Sequence, residues 1–111
     1  MLVGKDVPRD IGMRSKRRGA RMNSHVAVLI EWNGAGSGEA EPAFTRVVNY
    51  YGGLLVSPKE AELQQYLGLK NLATQQTTNG VVVWKGAKRN DGWELGVEFV
   101  APEFDFWGLD L

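Results

Sequence analysis

The chain has 111 residues, 43% hydrophobic and 23% charged, which suits one globular domain built on a single modest core. Thirteen basic residues balance thirteen acidic ones, cysteine is absent and histidine occurs once, at His25. That composition excludes a disulfide framework, a thiol nucleophile, a thiolate metal site and a histidine-rich metal site. No apolar run approaches the roughly 18 residues of a membrane span. The first residues hold charges but no apolar core and no small-residue cleavage site, so no signal peptide is expected and the expected location is cytoplasmic.

The zero net charge hides an asymmetry. Lys5, Arg9, Arg14, Lys16, Arg17, Arg18 and Arg21 face only Asp6 and Asp10 across the first 21 positions, so this leader carries about +5 and the remainder about −5. It lacks hydrophobic periodicity and contains Pro8 and several glycines. The expectation is a mobile basic leader, with a flexible part over 1–13 and a single domain over 14–111. Arginine suits phosphate because its planar fork donates in pairs and keeps its charge. Arg14 and Arg18 are four residues apart, as are Arg17 and Arg21, so two guanidinium pairs could each close on one compact anion.

His25 to Trp32 is rich in β-branched residues and stops at Asn33-Gly34, which predicts a strand and a turn. Gly34-Ala35-Gly36-Ser37-Gly38 reads as a flexible hairpin connection; with no helix signal after it, it is a poor phosphate-cradling loop. Residues 43–49 predict the returning strand, Tyr50 to Gly53 a tight turn, and Leu54-Leu55-Val56 another buried strand. Ser57-Pro58-Lys59-Glu60 has the form of a capping box with proline at the first helical position, so a short helix is expected from Pro58 to Tyr66. Leu67 to Leu72 alternates and predicts a strand, turned by Thr74 to Asn79. Val81-Val82-Val83-Trp84 predicts the next strand, and Lys85 to Gly92, with Asn90-Asp91-Gly92, reads as a charged hairpin tip. In the last strand Trp93, Leu95, Val97 and Phe99 fall on one side. The tail carries Phe104, Phe106, Trp107 and Leu109, and is expected to plug a barrel end rather than to form an exposed patch. Six strands about ten residues apart, with one short helix, predict an all-β, mainly antiparallel fold: a small six-stranded barrel.

The order of these motifs resembles the PilZ domain, a bacterial six-stranded barrel that acts as a receptor for cyclic di-GMP. An R-x-x-x-R element precedes the first strand, Asn49 and Gly52-Gly53 follow the second, and Leu54-Leu55-Val56, Val82-Val83-Trp84 and Gly96-Val97-Glu98-Phe99 come after. The resemblance spans about Arg14 to Phe99. It is closest to a divergent subgroup, on Val47-Val48-Asn49-Tyr50-Tyr51-Gly52 and Phe106-Trp107-Gly108. It implies a non-catalytic signalling module in which arginines grip the phosphates of cyclic di-GMP and stack on guanine. Arg14 and Arg18 match the arginine motif by distance to the first strand, with Arg17 and Arg21 as the other register. The family's second motif, Asp/Asn-x-Ser-x-x-Gly, is matched only at its ends: Asn49 and Gly53 are four apart instead of five, and Tyr51 stands where serine is expected. The ligand-binding set implied is therefore Arg14, Arg17, Arg18, Arg21, Asn49, Tyr51 and Gly53. The resemblance implies no metal, no cofactor other than cyclic di-GMP as regulatory ligand, and ordering of the leader on binding as the switch.

Plainer readings stand beside these. The leader could be a solvated polyanion patch. Asn49 is a common turn residue, and Tyr50 and Tyr51 are ordinary sheet aromatics. Trp32, Trp84 and Trp93 read as core or barrel-face residues. Glu31, Glu94 and Glu98 fall at outward strand positions and are expected to be solvated, and His25 has no partner set for catalysis. The rival function is a degenerate PilZ domain that has lost the nucleotide and binds a protein effector. A specific nucleic-acid partner is not expected of a chain whose remainder is acidic.

Overall fold

The computed structural model describes residues 21–103 and 105–109. The expected flexible leader, Arg14, Arg17, Arg18 and Phe104 lie outside them. Seven strands follow in order: β1 (Met22–Asn23), β2 (Ala27–Glu31), β3 (Ala40–Asn49), β4 (Gly52–Ser57), β5 (Tyr66–Asn71), β6 (Thr77–Arg89) and β7 (Gly92–Phe99). They run β3-β2-β5-β6-β7-β4 around the sheet, every pair antiparallel, and β3 pairs with β4 to close it. The result is the expected all-β, six-stranded barrel. Closure removes the open edges that an unpaired strand would present. β1 is an additional short strand, docked on β3 through Met22↔Val48 and Asn23↔Val47.

Alternation places one set of side chains inside. Val28, Ile30, Val48, Leu55, Leu67, Leu69, Val82, Leu95 and Val97 are buried in one core. Each such side chain stabilises the fold by about 1.5–3 kcal/mol relative to exposure. The tail plugs the barrel end, as expected. Phe106 and Trp107 are 1% and 3% exposed, and with Phe99 they form a cluster of edge-to-face and tilted rings. Asn71, fully buried, is satisfied by donating Nδ2 to the Phe106 carbonyl at 2.8 Å and accepting the Ala73 amide on Oδ1 at 2.9 Å.

Three expectations are corrected. No helix is present among the described residues, including Pro58 to Tyr66. Ser57 ends β4, paired with Trp93, and its Oγ accepts from the Lys59 amide and donates to the Lys59 carbonyl. The cap-forming side chain is spent on a tight turn. Further on, Gln64 and Gln65 bond the backbone of Val82 in both directions, at 2.7 and 2.9 Å. Those strand-like bonds outweigh the marginal stability of a nine-residue helix, whose nucleation is costly. The turn after β5 comes earlier than expected, with Gln75 donating to the Asn71 carbonyl.

The carboxylates also depart from simple alternation. Glu98 is exposed, but Glu31 and Glu94 are buried. Glu31 accepts the Gly36 amide at 3.1 Å and so organises the glycine-rich turn. Glu94 lies between Arg46 Nε, at 2.9 Å, and Arg89 Nε, at 3.1 Å. Arg46 Nη2 also donates to both carboxylate oxygens of Asp91, at 3.0 and 2.9 Å. A register shift between Thr45 and Val47 makes Arg46 a bulge residue. Hydrogen bonding to Asp91 above all, and then to Glu94, raises the Arg46 pKa against partial desolvation, so the guanidinium stays charged at any physiological pH. Among the described residues no helix is long and apolar enough to cross a membrane.

A candidate ligand groove on the barrel wall

A groove of about 470 Å³ runs over the outside of the barrel where β3, β4, β7 and β6 lie side by side. The register builds it. Val47, Leu54, Gly96 and Trp84 are successive cross-strand partners and form one outward row. The adjacent row, Val48, Gly53, Val97 and Val82, points into the core. Gly96 has no side chain, so the outward row has a trough between Leu54 and Trp84.

One end of the groove is the β3–β4 turn. Asn49 pairs with Gly52 across Tyr50 and Tyr51. Asn49 Oδ1 accepts the Tyr51 amide at 2.8 Å, the bond by which asparagine stabilises a turn. Trp107 Nε1 donates to the carbonyls of Asn49 and Gly52 at 3.0 and 3.2 Å, and Phe99 donates its amide to the Tyr51 carbonyl at 2.7 Å. The turn is thus tied to the plug and to β7. A Cβ on Gly52 would lie 1.9 Å from the Val97 carbonyl oxygen, so β4 and β7 could not keep their spacing. Gly52→Ala is expected to cost about 2–4 kcal/mol. Urea denaturation measures this; a loss under about 1 kcal/mol would show that the turn yields instead.

The expected site residues that lie among the described ones come together. Arg21, Asn49, Tyr51 and Gly53 all line the groove. Gly53 contributes backbone only, since its missing side chain would point at Trp107, 3.1 Å away. With Asn49 Oδ1 used inside the turn, the carboxamide nitrogen is what that residue offers a ligand.

Sequence reasoning missed Val47, Leu54, Trp84 and Glu98, which also line the groove. Trp84 was expected in the core or on a barrel face; it is on the outer wall, 48% exposed. A second register shift, between Val82 and Trp84, makes Val83 the bulge residue. Strict alternation would send Trp84 inward with Val82, and the bulge sends it outward beside Gly96. The run Val81-Val82-Val83-Trp84 has no period from which to read this. Among the described residues the charged lining is one arginine, Arg21, and one carboxylate, Glu98. Such a site suits a ligand with flat apolar surface, N–H groups for Glu98 and an anionic part near Arg21. Among the described residues no group of three or more His, Cys, Asp or Glu could hold a metal ion.

No protein-family model, no curated protein and no solved structure matches this chain.

Proposed function

We propose that this chain is a non-catalytic receptor module of PilZ type that binds cyclic di-GMP on the outer wall of its barrel. The observation that carries the reading is the meeting of Arg21 with Asn49, Tyr51 and Gly53 in one groove, residues that sequence places some thirty positions apart. One arginine of the basic stretch thus shares a surface with the residues matched to the second motif. Arg21 in the groove favours the Arg17/Arg21 register over Arg14/Arg18, since it belongs to that pair. In this reading guanidinium groups take the phosphates, and the groove wall takes the flat bases. The module changes no bond; its output is a bound state presented to a downstream protein in the cytoplasm.

A second reading has its own support. Asn49 Oδ1 is engaged within the turn, and Tyr51 replaces the small hydroxyl of the family motif. A barrel so altered would serve as a protein-interaction module without the nucleotide.

Calorimetric titration of the full chain with cyclic di-GMP decides between them. Saturable heat in the micromolar range is expected. Silence at about 100 μM ligand, where even a −5 to −6 kcal/mol interaction half-saturates, would sink the receptor reading.

A further inference from the structure

Trp84 is a large aromatic ring held on the outside of a barrel, and three features of its surroundings keep it there. The bulge at Val83 turns it out of the core. Its six-membered ring fills the space that a side chain at Gly86 would need: a Cβ there would come within 2.5 and 2.8 Å of Cη2 and Cζ3. Its own Cβ sits 3.0 Å from where a Gly96 side chain would begin. Two bare backbone positions therefore seat the indole against the wall, while about half its surface stays open to solvent. An indole exposed without a partner forgoes burial that a core tryptophan would gain.

The charge of the groove narrows what could cover it. Among the described residues Arg21 and Glu98 cancel, so this part of the lining offers no net attraction to a bare anion. Gain within the groove then comes from contact with a flat ring, with Arg21 as the described anchor for an anion. We infer that Trp84 is a stacking platform for the heteroaromatic base of a nucleotide, a purine with its phosphate directed toward Arg21. The identity of that nucleotide as cyclic di-GMP rests on the function proposed above; the platform itself does not.

The test combines two measurements. Trp84→Leu is expected to weaken cyclic di-GMP binding by about five- to hundredfold, the range for losing one base–aromatic stack, while Trp84→Phe retains most of it. Both variants should melt near the wild type, because the side chain is half exposed. Independently, the Trp84 indole N–H resonance of wild-type protein, assigned by its loss in Trp84→Phe, is followed during titration with cyclic di-GMP, GMP and AMP. Ribose 5-phosphate is the base-free control. Ring-current shifts with the nucleotides and none with the sugar phosphate are expected. A shift with GMP or AMP but no binding of cyclic di-GMP would remove the receptor reading and leave the platform standing. Equal affinity of Trp84→Leu and wild type, equal shifts with ribose 5-phosphate, or no shift with any nucleotide would each overturn the platform.

Discussion

Replacing Arg17 and Arg21 together by alanine is expected to weaken cyclic di-GMP binding by about two to four decades. In the proposed reading each guanidinium donates charge-assisted hydrogen bonds to phosphate, and losing one such group removes about one to two decades of affinity. The two act on the same anion, so their losses need not add, and a double-mutant cycle measures the coupling. Folding stability should be unaffected by the Arg21 change, because that side chain is exposed at the groove edge. Lysine at the same positions should recover only part of the loss, since it keeps the charge but not the planar fork. The companion variant Arg14→Ala/Arg18→Ala tests the other register. If it loses binding while Arg17→Ala/Arg21→Ala retains it, the clamp uses the earlier pair. If both double variants bind like the wild type, no arginine clamp operates.

Phe106→Ala is expected to destabilise the barrel by about 3–5 kcal/mol, the range for truncating a buried phenylalanine. Phe106 is among the most buried side chains, with ring centroids 5.3 Å from Phe99 and 4.9 Å from Trp107. A domain of this size has about 5–15 kcal/mol of total stability, so the loss is a large fraction of it and should lower the melting temperature by roughly 10–30 °C. Urea denaturation gives the value directly. A loss below about 1 kcal/mol would mean that the tail is not part of the core. The consequence reaches the groove. Trp107, packed against Phe106, holds the carbonyls of Asn49 and Gly52. Loosening the plug frees the turn that presents Asn49 and Tyr51, so ligand affinity should fall in Phe106→Ala even at temperatures where the protein remains folded.

The strands and most turns were legible in the sequence because their signals are local. β-branched runs, the Asn90–Gly92 tip and the paired glycines at 52 and 53 each specify backbone conformation within a few residues. The strict alternation of Trp93 to Phe99 likewise announces a strand with one buried side. The helix expected after Ser57 failed for a reason of the opposite kind. Its capping signature is local, but the competing bonds of Gln64 and Gln65 to Val82 come from a strand some seventeen residues away. Glu94 is similar: period-two reading puts it outside, and Arg46, 48 residues away, together with Arg89 across the β6–β7 hairpin, makes its burial tolerable by pairing the charge.

By itself, then, the chain determined its class, its six main strands, its plugging tail and the position of its basic pole. Tertiary structure decided which face of each strand carries the site. Of the three single-residue register shifts among the described residues, one lies between Lys85 and Lys88; the other two, at Arg46 and Val83, change which side of the wall the following residues occupy. One turns Arg46 toward Asp91 and Glu94; the other carries Trp84 from the core to the groove, beside Arg21 and the Asn49–Gly53 turn. A bulge exists only relative to a partner strand. No stretch of sequence read alone contains it, because side chains alternate with period two and one extra residue inverts every facing beyond it.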